Sequence, residues 1–240
     1  MGRTVWIGDV HGCADELEEL LAAVGVTRED RVVFVGDLVA RGPDSRRVLR
    51  IVRELGALAV RGNHEQRMLV SHQARLRGDA PPRLGPAHLH LLSELEEEDW
   101  AQLAALPLSL EFPEHGVRVV HAGVAPGVSF EEQQAWTLLH IRSLTSLGAP
   151  SDRYSPVSWA ESYAGPPHVV FGHNAQAGLQ VFRDATGLDT ACVYGGSLSA
   201  LVLSAGQGPP SVSERLDSIV AVPARARYVD YGPRPERYVS

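Results

Sequence analysis

The sequence predicts an α/β domain, and three observations carry that expectation. Residues 1–65 alternate apolar, β-branched runs with amphipathic stretches of helical period, in the order strand, turn, helix, strand, turn, helix, strand, turn. Each turn joins glycine to a side chain that can ligate a metal: Gly8-Asp9-Val10-His11-Gly12, Gly36-Asp37, and Arg61-Gly62-Asn63-His64-Glu65. Each turn also follows the carboxyl end of its strand, the edge at which open α/β sheets bind ligands. Right-handed parallel crossovers would gather all three turns on that edge.

The elements follow in order. Thr4–Ile7 reads as a strand, and residues 15–24 (DELEELLAAV) as a helix with leucines at helical spacing, stopped by Gly25. The run 32–35 (VVFV) is a buried strand leading into GDLVARGPDS (36–45), the stretch around which the chain is organised. Pro43 is placed as the first residue of the next helix, with Asp44 in its first turn. Residues 45–55 continue that helix, 57–60 form a third strand, and 65–77 another helix. A Pro/Gly loop (78–86) and two further helices (87–95 and 96–106) make a helical excursion over about 66–106, placed to cap the site. Val117–Val120 is a strand ending in His121-Ala122-Gly123, and His168–Phe171 one ending in Gly172-His173, with one helix expected near 130–144 between them. The remainder reads as antiparallel strands at 179–182, 191–194, 197–203 and 218–222, with Gly195-Gly196 as a hairpin turn. From about 224 to 240 an Arg/Pro/Tyr-rich tail is expected to dock loosely, and the whole of 1–240 reads as a single domain.

Composition sets bounds. The chain has 240 residues, 44% of them hydrophobic, and a mean hydropathy of −0.08. No apolar run approaches the roughly 18 residues of a membrane span, so no membrane partner is expected. A net charge of −7 argues against bulk nucleic-acid binding. Cys13 and Cys192 are too few for a disulfide scaffold and read as small buried residues. The first residues enter a strand with no apolar leader, and the expected compartment is the cytoplasm.

Six residues stand at strand ends: Asp9, His11, Asp37, Asn63, His121 and His173. Two carboxylates, three imidazoles and an amide suit first-row divalent ions, with Mn as the first candidate and Co, Fe, Zn or Mg as alternatives. Asp37, in the central turn, is the natural bridge between two ions, with Asp9 and His11 on one side and Asn63, His121 and His173 on the other. Such a pair would attract phosphate and activate water for in-line attack at phosphorus. His72, His88, His90, His115 and His140 have no strand-end placement and read as surface or packing residues.

GDVHG (8–12), GDLVARGPDS (36–45), RGNHE (61–65), HAG (121–123) and GH (172–173) together resemble the calcineurin-like metallophosphoesterases, in the branch holding phosphoprotein phosphatases and symmetrical diadenosine tetraphosphatases. The resemblance runs from about residue 4 to 203. It implies a β-sandwich of two mixed sheets flanked by helices, and the metal assignments above. It also implies that Arg41 contacts phosphate and that His64 gives a proton to the leaving oxygen. An arginine fork suits phosphate oxygens, and a histidine can carry a proton near neutral pH. Arg142 is a candidate second phosphate ligand, and Tyr194 a candidate to reach the site from the last hairpin. Trp100, Trp136, Tyr154 and Trp159 are candidates to stack on bases.

Protein phosphatases of this branch usually have Asp-Arg-Gly in the central motif, the Asp orienting the histidine, where this chain has Ala40. GDLVARGP and GLDTACVYGG (187–196) look instead like the symmetrical diadenosine tetraphosphatases, although Glu65 departs from the Asp common there. Losing a carboxylate removes negative charge beside the metals and weakens support for a protonated His64. Both changes favour a polyanionic substrate with a good leaving group. The expected activity is therefore symmetrical cleavage of diadenosine tetraphosphate to two ADP, with a bacterial Ser/Thr or Tyr phosphoprotein phosphatase as the alternative. Monomer and dimer stay open.

Overall fold

The computed structural model describes residues 2–230. The chain runs β1 (Thr4–Ile7), α1 (Ala14–Val24), β2 (Arg31–Phe34), α2 (Ser45–Glu54), β3 (Leu58–Ala59) and α3 (Asn63–Arg77). Helices α4 (Pro86–Glu94) and α5 (Glu97–Ala105) precede β4 (Ser109–Phe112) and β5 (Val117–Val120). Then come α6 (Ala135–His140), β6 (Ser143–Leu144), β7 (Pro150–Ser151), β8 (His168–Phe171), β9 (Gln180–Val181) and β10 (Ala185–Gly187). Finally β11 (Ser197–Leu203), α7 (Val212–Arg215) and β12 (Ile219–Pro223) complete it.

Two five-stranded mixed sheets form, in the orders β12-β11-β1-β2-β3 and β4-β5-β8-β10-β9. Parallel pairing aligns Ile7 with Phe34 and Phe34 with Ala59 in the first sheet. It aligns Val119 with Val170 and Gly187 with Phe171 in the second. Six strands thus end level with their parallel neighbours, and the residues after each open on one edge.

Alternation along the strands builds the layers. Trp6, Val33, Val35 and Val60 face Val117, Val119, Val170 and Phe112 between the sheets. Trp6 meets Phe112 edge-on at 5.8 Å. The opposite residues, Val5, Ile7, Val32 and Phe34, pack under α1 and α2. Val120, Val169 and Phe171 of the second sheet are covered by Leu138, Ile141 and Trp159. The result is helix, sheet, sheet, helix, each sheet buried on both faces, which is why its central strands read as continuous apolar runs.

Several local expectations change. Pro43 lies outside α2; Asp44 is its N-cap, accepting from the Arg47 N–H at 2.9 Å, which a residue inside the first turn could not do. Helix α3 starts at Asn63, so the third turn holds a helix N-terminus. The helix expected near 130–144 shrinks to α6, preceded by a single 3₁₀ turn at Phe130–Glu132. β4 and β10 are additional strands, and β10 runs parallel to β8 rather than antiparallel. Residues 191–194 are no strand: Ala191 has φ +64, and Gly195 N–H returns to the Cys192 carbonyl in a tight turn.

The tail is tied down as far as it is described. Glu16 Oε1 accepts from the Arg225 N–H and the Tyr228 hydroxyl, while Arg225 pairs with Asp15 and Glu19. Residues 231–240 of the expected tail lie outside the described residues.

His168 generates a pH prediction. Its Nε2 is 2.9 Å from the Thr186 hydroxyl, and burial, assisted by the nearby Arg215 charge, pushes its pKa down to about 3. A histidine held neutral contributes its full stability above its unfolded pKa of about 6.5, and that contribution fades as pH falls toward 3. Urea unfolding at pH 7 and pH 4 should show His168→Gln losing less stability than the parent, by up to about 3 kcal/mol.

Candidate metal centre

The level strand ends deliver the site. Asp9 and His11 follow β1, Asp37 follows β2, and Asn63 and His64 open α3 just after β3. His121 follows β5, and Gly172-His173 follow β8. Asp9, His11, Asp37, His121 and His173 are all at most 7% exposed. The structure therefore brings together all six residues expected at strand ends.

Their backbone is held in an unfavourable region. His11, Asp37 and His173 have φ of +49, +48 and +69, and Ala40 and Arg41 lie at +69 and +73. Non-glycine residues there cost of order 1 kcal/mol each and cluster where side chains must be aimed. Close approach sets the glycine at 172: a Cβ there would lie 1.9 Å from Asp9 Oδ1.

Hydrogen bonds fix each donor. Asp37 Oδ1 accepts from the His64 N–H at 3.0 Å, so the free amide end of α3 points at this carboxylate. Asp37 Oδ2 lies 3.5 Å from His11 Nε2 and 3.5 Å from His121 Nε2, between the two halves of the constellation. His11 Nδ1 is 3.2 Å from the Val39 carbonyl, and His121 Nδ1 is 3.0 Å from that of Val35. Donating there leaves each Nε2 a lone pair aimed inward, the usual support of a metal-bound imidazole. His121 Nε2 lies 3.0 Å from Asn63 Oδ1 and 3.2 Å from His173 Nδ1. The Asp9 carboxylate accepts from the His173 N–H through both oxygens, at 3.1 and 3.0 Å.

These distances fit a divalent ion. Ligand atoms about 2.1 Å from one ion are about 3.0–3.4 Å apart, the spacing seen around Asn63, His121 and His173. Among the described residues, His173 Nε2 is buried with no hydrogen-bond partner. Two groups of donors close enough to hold an ion, His11-Asp37-His64 and Asp37-His121-His173, share Asp37.

Charge tells the same story. Burial, with Asp189, Asp37 and Glu65 as like neighbours, raises Asp9 well above the ordinary carboxylate range. Burial pushes Asp37 and Asp189 up to about 6, and Glu65, with Asp37 beside it, to about 7. Burial first, then neighbouring positive groups, holds His11, His64 and His173 well below 6.5. Four buried carboxylates with neutral imidazoles favour added positive charge.

The remaining candidates ring this cluster. Arg41 Nη1 is 3.1 Å from His11 Nε2, and its guanidinium sits 5.5 Å from the Tyr194 ring centre. Arg142 donates to the carbonyls of Asp152 and His173 and lies in the field of Asp37 and Asp189. Of the proposed stacking residues, Trp159 is core, donating to the Ala122 carbonyl, and Trp100 stacks on His72 at 4.0 Å. Trp136 and Tyr154 are exposed, at 46% and 44%, and Trp136 adjoins His140, itself 6.3 Å from the His173 ring.

Three residues escaped the sequence. Glu65 accepts from the N–H groups of Asp37, Val39 and Gly62, bracing the central turn. Asp189 follows β10; reading that three-residue strand would have exposed it. His88 is no surface residue: its Nε2 is 3.0 Å from His64 Nδ1.

Comparison with known proteins places this geometry. A family model described as calcineurin-like phosphoesterase matches residues 2–204. The chain is a calcineurin-like phosphoesterase. Members of this family use divalent metals, and the two donor groups around Asp37 supply candidate ligands. It is 31% identical to the bis(5'-nucleosyl)-tetraphosphatase PrpE, asymmetrical, of Halalkalibacterium halodurans over 81% of this chain and 87% of that protein. It is 40% identical to the bis(5'-nucleosyl)-tetraphosphatase, symmetrical, of Shewanella oneidensis, over 58% of this chain and 51% of that protein. A solved structure named "Crystal structure of a putative diadenosine tetraphosphatase" superposes with a TM-score of 0.79 at 34% identity, covering 93% and 94% of the two chains. None of the helices among the described residues is long and apolar enough to cross a membrane.

Gly172→Ala tests the cradle. The added methyl must displace the Asp9 carboxylate, and calorimetric titration with Mn²⁺ should show affinity reduced roughly 10–100-fold with the fold retained.

Proposed function

We propose that this chain is a two-metal hydrolase of dinucleoside polyphosphates that cleaves diadenosine tetraphosphate to two ADP. The observation that carries the reading is Ala40. Its side chain is a buried methyl group where the protein phosphatases this turn resembles carry Asp, and its N–H is spent on Ser45 Oγ at 2.9 Å. Arg41 and Arg142 remain to meet a chain of phosphates. The relatives named as nucleosyl-tetraphosphatases support the substrate class.

Asp9, His11 and Asp37 would hold one ion, and Asp37, Asn63, His121 and His173 the other. When bound, the ions neutralise phosphate charge and supply a water of lowered pKa. Arg41 and Arg142 orient the phosphates, the Arg41 guanidinium lying against the Tyr194 ring. His64 gives a proton to the departing phosphate oxygen. A nucleotide leaves more readily than a serine alkoxide, so a donor without a carboxylate partner suffices for an anhydride.

Asymmetrical cleavage to ATP and AMP is a second reading, favoured by one observation: the relative sharing most of its length with this chain bears that name. The two readings place the same site against different phosphates.

Chromatography of the products with Mn²⁺ tests the proposal. ADP alone, formed at far higher kcat/KM than phosphate from a phosphoserine peptide, is the expected result. ATP plus AMP selects the second reading, and faster peptide dephosphorylation overturns the substrate class. Arg41→Ala should lower kcat/KM roughly 10²–10³-fold on the dinucleotide, as losing a charged donor to the transferring group does.

A further inference from the structure

His88 belongs to α4, outside the strand-end turns that build the metal centre. It is 7% exposed, and its Nε2 lies 3.0 Å from His64 Nδ1. The two rings meet edge to edge, with centres 4.8 Å apart and planes 22° from parallel. Helix α4 is fixed behind it: Leu91, one turn on, is buried in the main core, and the His88 N–H returns to the Gly85 carbonyl at 3.1 Å. Ala40, in the central turn, offers only a methyl group.

We propose that His88 is the residue that positions His64 for proton donation, in place of a carboxylate. The inference rests on the reading of His64 as the donor and adds a partner that no motif in the sequence marks. An imidazole can turn about its Cβ–Cγ bond and can carry its proton on either nitrogen. Holding Nδ1 against a buried, nearly coplanar neighbour fixes both, and leaves Nε2 as the nitrogen for the leaving oxygen.

The protons balance. Neutral in the free chain, His64 takes up a proton as the anionic phosphate binds beside it and so enters the step with hydrogens on both nitrogens, Nδ1–H directed at the lone pair of His88 Nε2, whose own proton sits on Nδ1. As water oxygen bonds to phosphorus and the P–O bond to the leaving group breaks, the Nε2 proton passes to the leaving oxygen. His64 is left neutral, keeps its Nδ1–H on His88, and regains the imidazolium charge with a proton released by the attacking water. Because the partner is neutral, it orients His64 without the charge support of a carboxylate. That suits leaving groups of low basicity. The helical excursion is then part of the reacting machinery, since it carries the partner.

The test uses the Mn²⁺-loaded full chain and a pair of aryl phosphodiesters, phenyl and p-nitrophenyl, so that it does not depend on the dinucleotide assignment. His88→Ala should lower kcat on the phenyl ester roughly 10–100-fold with KM within about twofold, and much less on the p-nitrophenyl ester, whose leaving group needs little acid. His88→Gln, whose amide oxygen can still accept from Nδ1–H, should recover part of the loss. In a His64→Asn background, His88→Ala should cost nothing further, the signature of two residues acting as one unit. Independently of turnover, long-range ¹H–¹⁵N spectra of the imidazoles, recorded with diamagnetic Mg²⁺ in place of Mn²⁺, should show His64 in one tautomer in the parent and in a mixture in His88→Ala. Equal losses on both esters, additive losses in the double variant, or an unchanged His64 tautomer would overturn the proposal. A His64→Asn variant that retains full activity would instead overturn the donor role on which it rests.

Discussion

The Asp37 carboxylate is held from three directions, and the rest of the site depends on where it is held. Its backbone sits in the left-handed region, its own N–H is taken by Glu65 at 2.9 Å, and its Oδ1 accepts from the His64 N–H at the start of α3. Only Oδ2 is left to face inward, midway between His11 and His121 at 3.5 Å from each. A buried carboxylate is costly, and burial raises the pKa of Asp37 to about 6. The helix N-terminus offsets part of that cost. Positive charge between the histidines would offset the remainder, and the proposed pair of ions supplies it.

The sheets make this arrangement possible. Parallel strands end at a common level, and six of them end here, three in each sheet. The cores behind them are apolar on both faces, so the strands cannot slide in register without exposing Trp6, Phe34 or Val170. That rigidity lets five non-glycine residues around the site, His11, Asp37, Ala40, Arg41 and His173, stay at positive φ. The strain is local and the packing that tolerates it is distributed, as in other sites built at strand ends.

The sequence made the cluster of strand-end donors legible because its signals are local. Asp9, His11, Asp37 and Asn63 each sit beside glycine after an apolar run, and His121 and His173 repeat the pattern in the second sheet. The same locality explains the misses. Asp189 follows a strand of three residues, too short to show a period, and Ala191–Tyr194 looks β-branched and aromatic yet is bent by the φ of +64 at Ala191. Asp44 was displaced from first turn to cap because both placements share one sequence pattern. His88 reaches His64 from 24 residues away through the docking of α4, and nothing in its neighbours announces that contact.

The central claim is that Asp37 bridges two ions, and anomalous diffraction from Mn²⁺-soaked crystals tests it most directly. The account predicts two peaks about 3.5–4 Å apart, one beside His11 and Asp9 and one beside Asn63, His121 and His173, with Asp37 Oδ2 between them. A single peak, or two peaks that Asp37 does not touch, would contradict it.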